Sequence, residues 1–581
     1  MLEIIQYLVL ALISAGACFV PGYVIARGFT RLKDEELVLA SLAAGIFLLG
    51  MSEFFAYLLN VSQPLFNAFA FVIVSALGLV FLYLTGKAKV AIEPRPIYLA
   101  VFSVFVLVLA LQSIVPVYTG AYWFGDWWMH YDVGRLYVDH APTSKTWFPQ
   151  NYTPTSRTPL FDLAGAFFVA LYSGGFWVFQ ISSSFLLTIF LLPLFMLTRK
   201  LFSERAAWLA IILTLFSPMV LTNEMYTWPK LLLAFFVLSM LYFYLDLRTQ
   251  IRDRHLSGHA LPAVAFFAAL AYLTHQTSLF YILAVFLDAL ILLALSFKRL
   301  GFELRFQPKY ALIALLLFFA VLAPWHAWAF STYGVEKTLK SSPAISDAFT
   351  SKDWATDHEL SALASVAPVF QHEWYTKWFA TPDDFFKTVQ CPGFPCKAAL
   401  YSVTIRFWFD TVPGGLTLSV FFALICLLAY RICTRGISLH YTTNAFLAFL
   451  LVVVFLLATV TMPMLDTKGW GSPMYLPAMM IIIGIAGAGL ASLGRYALLL
   501  VLGGALAEFI TIKVSHLYVL ATGQLAAFET WNTALVTDNH LIMAYDYLGG
   551  WRLLLALGAI ILFAYLLLFL RQQVVKAKRG N

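Results

Sequence analysis

The stretch Phe124-Gly125-Asp126-Trp127-Trp128-Met129-His130-Tyr131-Asp132 places two carboxylates, an imidazole and two tryptophans between two long apolar runs. Carboxylates and imidazoles are the side chains that most often carry protons in a reaction. Read as a helix, the stretch puts Asp126 and His130 on one face, and Asp132, Arg135 and Asp139 on another. The tryptophans and Tyr131 suit the boundary between lipid and water. The expectation is an acid-bearing interfacial helix on the extracytoplasmic side, above a cavity in a helical membrane domain.

The rest of the chain must supply that domain. Of 581 residues, 61% are hydrophobic and only 12% charged. Many segments reach the roughly 20 apolar residues needed to cross about 30 Å of hydrocarbon. The runs are continuous rather than alternating, which argues against a barrel. The fold class is therefore an all-α polytopic membrane protein. The formal charge of +7 gives no case for nucleic acid, because the basic residues collect in short loops. No internal repeat and no glycine-rich nucleotide loop is visible.

Spans are expected at about 3–25, 36–59, 64–85, 97–117, 176–197, 206–222, 229–246, 261–275, 277–297, 310–330, 415–431, 443–463, 473–491, 496–516 and 548–570, about 15 in all. The N-terminal run lacks a basic start and a clear cleavage site, so it reads as a span rather than a signal peptide. By this topology 23 of the 37 Lys and Arg fall on one side, in short loops and a basic tail. That sets the N-terminus outside and the C-terminus in the cytoplasm, in a plasma (inner) membrane. Four regions follow: 1–96, an extension of three spans; 97–330, with a long outer loop at 118–175; 331–412, a large outer segment; and 413–581, further spans. Within the first outer loop, the run 163–173 is too short to cross and is expected to lie along the membrane surface.

Other polar groups sit near the outer ends of spans. They are Arg157 and Asp162 in the first outer loop, Glu224 and Lys230 around Trp228-Pro229, His275 in the next hairpin, and Lys468 late in the chain. Glu53 lies within the second span, as a group facing a cavity or a snorkelling carboxylate. Cys391 and Cys396 flank a turn in the large outer segment with no further ligand nearby, and a disulfide in an oxidising compartment is the reading. His372 and Glu373 lack a second His at ligand spacing, which argues against zinc. Asn60-Val61-Ser62 and Asn151-Tyr152-Thr153 match a glycosylation sequon, a pattern that recurs by chance.

An ordered set of these features resembles the GT-C superfamily of membrane glycosyltransferases, which use polyprenyl-phosphate-linked sugars. Its members include protein O-mannosyltransferases and lipid A aminoarabinose transferases. The features are Gly125-Asp126 in the first outer loop, Arg157-Thr158-Pro159-Leu160-Phe161-Asp162-Leu163, Thr198-Arg199-Lys200-Leu201-Phe202, Ser217-Pro218 before Glu224, Leu273-Thr274-His275, and Met474-Tyr475-Leu476-Pro477. Two departures stand out. Three spans precede the core that carries the acidic loop, and Trp127 stands where an acidic pair would have its second member.

The resemblance implies a GT-C-like helical bundle with 97–330 as its catalytic core. It implies an inverting transfer of a sugar from a polyprenyl monophosphate to an acceptor hydroxyl on a protein, lipid or polysaccharide. Asp126 would be the general base, with His130, Asp132, Asp162 and Glu224 in support. Lys230, Arg157, His275 and Lys468 would hold the donor phosphate. No cofactor is expected, and the residues give a divalent metal no support.

Structural readings stand beside these. Asp126 after a glycine also reads as an N-cap, a role that does not exclude catalysis. Trp127 and Trp128 read as interfacial anchors, His130 as a boundary histidine, and Asp132, Arg135 and Asp139 as a solvated charged face. Two rivals have other functions: a transporter or flippase of a lipid-linked saccharide, drawing on Glu53 and Glu508, and an inactive scaffold of the same fold.

Overall fold

Apolar runs interrupted by proline, glycine and short basic loops fold into helices. In a computed structural model the described residues are 2–87, 92–114, 126–144, 153–172, 174–253, 255–256, 258–300, 305–340, 416–435, 443–461, 475–510 and 551–579. In chain order the helices begin with α1 (Leu2–Phe29), α2 (Asp34–Leu58), α3 (Gln63–Leu84), α4 (Pro96–Ile114) and α5 (Asp126–Val138). Next come α6 (Leu160–Tyr172), α7 (Phe176–Thr188), α8 (Leu191–Leu201), α9 (Glu204–Phe216), α10 (Pro218–Met225) and α11 (Lys230–Arg252). They continue with α12 (Ala260–Thr274), α13 (Ser278–Leu300), α14 (Pro308–Tyr333) and α15 (Val335–Lys340). The last are α16 (Leu418–Arg435), α17 (Thr443–Thr461), α18 (Leu476–Ala491), α19 (Arg495–Phe509) and α20 (Trp551–Arg579). Two-residue strands, β1 (His255–Leu256) and β2 (Arg305–Phe306), pair in parallel.

The protein is an all-α, multi-pass membrane protein. Rows of large apolar side chains stay exposed on α3 (Leu65, Phe69, Val72) and α14 (Leu315, Leu316, Phe319). Water would not tolerate such faces and lipid does. Among the described residues nine helices are long and apolar enough to cross a membrane, or ten if the bent pair α9–α10 counts as one span. The expected fifteen spans are not confirmed. Four shorter apolar helices account for part of the difference, among them α12 and α18.

One of the expected spans is broken, and proline explains it. Pro218 has no N–H for the Thr214 carbonyl: Ser217 takes an extended backbone, and α9 and α10 meet at 69°. The expected span at 176–197 stays one apolar span, Phe176–Leu201, with a local turn at Ile189 and Phe190 ahead of Pro193.

The chain divides into two units. The first comprises Met1–Phe105, Asp126–Met196 and Tyr226–Pro343; the second, Val106–Gly125, Leu197–Met225 and Ala344–Asn581. In the first, α1 crosses α2 through small residues. A Cβ on Gly22 would strike the Ser41 carbonyl and one on Gly45 the Cys18 carbonyl, so the backbones touch directly. A cluster of Met51, Phe54, Met129, Val133, Leu136, Tyr137, Leu163, Trp325 and Ala329 joins α2, α5, α6 and α14. Elsewhere in this unit Arg248 of α11 pairs with Asp288 of α13 at 3.1 Å, and the Tyr244 hydroxyl donates to the same carboxylate.

In the second unit α18 packs on α9 through Gly487, where a Cβ would press on the Ala206 carbonyl, and meets Thr198 at Gly484. Arg205 donates to the Ala491 carbonyl, closing the C-terminal end of α18.

Candidate functional site

Helix α5, expected at the interface, is enclosed on most of its circumference. One face carries His130 and Gly134, spaced one turn apart, and meets α6. Met129, Val133 and Leu136 face α2 and α14. Trp128 and Tyr131 pack on Phe176 of α7 at ring distances of 4.9 and 5.7 Å. Arg135 and Asp139 form the one exposed face.

The α6 contact depends on a glycine. A Cβ at Gly134 would lie 3.3 Å from the Asp162 carbonyl oxygen and 3.5 Å from the Ala166 Cβ. With only hydrogen there, α5 approaches closely enough for His130 to reach its neighbour. The His130 Nδ1 lies 2.8 Å from the Asp162 Oδ1, with side chains 4% and 1% exposed. A carboxylate only accepts, so Nδ1 carries the shared proton and His130 donates it. Phe161 meets the imidazole edge-on at 5.6 Å and restricts its rotation.

Asp162 sits in the first turn of α6, where unpaired N–H groups favour negative charge. Burial raises the Tyr137 phenol well above its ordinary pKa, and the Asp162 charge adds to that, so Tyr137 stays neutral beside the pair. The Gln63 side-chain amide, at the start of α3, donates to the Tyr137 carbonyl and so closes the end of α5.

The exposed face is different. Arg135 pairs with Asp139 one turn on, at 2.6 Å, and its Nη1 also reaches the Tyr131 hydroxyl at 3.3 Å. Those partners, Asp139 first, raise the guanidinium pKa further. Asp132 is half-buried on the side away from His130.

The remaining expected residues lie as follows. Asp126 begins α5 one turn before His130, and its side chain is outside the described residues. Arg157 is half-buried and extended as the chain leads into α6. Lys230 opens α11, is 4% exposed, and lies 4.1 Å over the Trp228 ring, which stacks on Tyr226 at 5.0 Å. A cation at a helix N-terminus opposes the helix dipole, so its placement there favours an anion nearby. His275 caps α12, and its Nδ1 accepts from the Thr277 N–H at 3.3 Å, which leaves Nε2 as the protonated nitrogen of the neutral ring. Glu224 is buried in α10 of the second unit. Lys468, Cys391, Cys396, His372 and Glu373 fall outside the described residues, as does most of 331–412.

The two acids that a transport path would use are both engaged. Glu508 accepts the N–H groups of Leu418 and Ser419 and so caps α16. Glu53 accepts from the Asn67 amide, and Asn67 in turn accepts from the Ser52 hydroxyl, joining α2 to α3. Among the described residues, no three His, Cys, Asp or Glu side chains gather as a metal site.

The run expected along the membrane surface, α6, is buried by its neighbours from Leu160 to Ala170.

Fold and site thus describe a multi-pass helical membrane protein with a buried acid–imidazole pair at the start of its central helices. Over residues 156–328 the chain matches the family model described as dolichyl-phosphate-mannose-protein mannosyltransferase. The resemblance to polyprenyl-phosphate-dependent membrane glycosyltransferases is therefore shown over that stretch, which holds Arg157, Asp162, Glu224, Lys230 and His275. Among solved structures the chain is similar to ArnT from Cupriavidus metallidurans bound to undecaprenyl phosphate, with a TM-score of 0.43 and 11% identity over 83% of this chain and 73% of that one. For ArnT from the same organism in the apo state the TM-score is 0.34 and the identity 14%, over 68% and 78%. No curated protein sequence matches the chain.

Proposed function

We propose that this protein is an inverting glycosyltransferase that moves a sugar from a polyprenyl monophosphate to an acceptor hydroxyl at the extracytoplasmic face of a plasma membrane. The observation that carries this is the family match over 156–328, a stretch that contains Arg157, Lys230 and His275. The acceptor is a protein, a lipid or a growing polysaccharide.

In this reading Asp126 is the general base for the acceptor hydroxyl. The transition state resembles that of glycoside hydrolysis, so nearby negative charge also stabilises the sugar's developing positive charge. The leaving phosphate is a weak base and needs cations rather than an acid. Lys230, Arg157 and Lys468 would supply them, with a His275 N–H as a further donor. No cofactor is assigned. The segment 331–412 would cover the site and select the acceptor; unchanged acceptor choice after its replacement by a short linker would remove that role.

The test is sugar transfer in detergent from a mixture of undecaprenyl-phosphate sugars, by wild type and by Asp126→Asn proteins of equal folding. A fall of about a hundredfold or more is expected for the loss of a general base. Equal rates would leave the enzyme and make Asp126 a cap. No transfer by wild type, with lipid-linked sugar crossing liposomes instead, would replace the reading with transport. Orientation is checked with a fluorescent protein fused to the C-terminus, which folds and glows only if that end is cytoplasmic.

A further inference from the structure

A buried acid–imidazole pair invites a plain explanation: it staples α5 to α6. Three observations argue for more. An apolar pair of similar volume would join two buried helices at no greater cost, because desolvating two polar partners offsets much of what their attraction gains. The pair also uses only one imidazole nitrogen. Nδ1 is committed to Asp162, and among the described residues Nε2 has no hydrogen-bond partner. Finally, position 126 lies one helical turn before His130 on the same continuous helix. At that spacing two Cβ atoms are about 5–6 Å apart, within reach of a side-chain proton transfer.

The ring is also held for a task at Nε2. Asp162 fixes the tautomer from one side, Phe161 bears on the ring edge, and Gly134 sets the distance between the two backbones. An imidazole so placed presents a defined lone pair.

We propose that His130 and Asp162 form a proton-accepting couple serving Asp126, with Asp162 positioning the imidazole and Nε2 receiving the acceptor's proton. This rests on the glycosyl-transfer reading above. The acceptor oxygen bonds to the sugar's anomeric carbon as the bond from that carbon to the phosphate oxygen breaks. The polyprenyl phosphate leaves with the electron pair. The hydroxyl proton passes to the Asp126 carboxylate and then to Nε2, and the Asp162 carboxylate faces the resulting imidazolium. Loss of the proton to water returns the couple for the next turnover.

Amide side chains separate this role from a staple, because asparagine mimics Nδ1–H of histidine and glutamine reaches toward Nε2. The full chain is assayed in detergent with undecaprenyl-phosphate mannose, glucose and aminoarabinose as donors, and a Ser/Thr-rich peptide and lipid A as acceptors. Rates are compared for wild type, His130→Asn, His130→Gln, His130→Ala and Asp162→Asn, each checked for monodisperse elution. Expected for His130→Asn and His130→Gln is a fall in kcat of about a hundredfold or more, with donor KM within about threefold. Asp162→Asn is expected to lower kcat by about tenfold or more, since the amide no longer enforces the tautomer. Near wild-type kcat in His130→Asn together with a damaged His130→Ala would make the pair a staple and overturn the proposal. A rise in KM at constant kcat would overturn it as well. Release of undecaprenyl phosphate by wild type from none of these donors would instead remove the glycosyl-transfer reading, and the couple with it.

Discussion

Helix α5 carries two acid–base pairs on opposite sides. Arg135 and Asp139 lie one turn apart along it, with side chains 40% and 42% exposed. His130 and Asp162 are 32 residues apart in sequence, on different helices, and 4% and 1% exposed. The first pair is screened by solvent and entropically costly to hold, so it contributes little. The second is costly to break, because either partner left alone would be a polar group without a mate in a packed interior. Distance alone does not tell them apart; burial does.

The comparison can be broken most sharply at Asp162. Asp162→Ala should destabilise the protein by about 1.5–3 kcal/mol, the range for removing a hydrogen bond to a buried charged group, read as a lower midpoint in denaturant titration. A loss under about 1 kcal/mol would place the pair with the surface pairs. Next is Gly134→Leu, which forces side-chain atoms against the Asp162 carbonyl and Phe179. It should cost about 1–3 kcal/mol by overpacking and should lower sugar transfer together with the stability.

Tyr137→Phe removes a buried hydroxyl beside Asp162 while keeping the ring. Its effect on the midpoint should stay within about 1 kcal/mol in either direction, with transfer retained. The smallest effect belongs to the exposed pair. A double-mutant cycle with Arg135→Ala and Asp139→Ala should give a coupling of about 0.3–0.5 kcal/mol, falling with added salt, and wild-type transfer in both single variants. Coupling above about 2 kcal/mol would show that the two faces of α5 are alike after all.

Much of this was legible in the sequence, and the limits have identifiable causes. The helices follow from apolar runs, and the two faces of α5 follow from a period of 3.6: Arg135 and Asp139 do join as their spacing suggests. Asp132, grouped with them by the same rule, is half-buried where Asp139 is exposed. The link from His130 to Asp162 was out of reach, since periodicity describes one helix and not its neighbour. Two local signals pointed toward it. Gly134 follows His130 by one turn, and Asp162 is the lone charge in Leu160–Tyr172, a helix apolar all round. A charge in such a helix needs an internal partner. The break at Pro218 was signalled by the proline itself, and continuous hydropathy concealed it. Burial of α6 escaped notice because its length was too short for a span, and length says nothing of what covers a helix.

The crossing of α1 on α2 has a consequence for how the helices are set along one another. Gly22 and Gly45 admit backbone atoms and nothing larger, so the two helices meet in one register. A slip of one turn would displace α2 by about 5.4 Å along its axis and set side chains where only hydrogens fit. Met51 and Phe54, farther along α2, join the same buried cluster as Met129 and Val133 of α5. The first two helices thus act as a ruler, setting the level of α5 along the axis of α2.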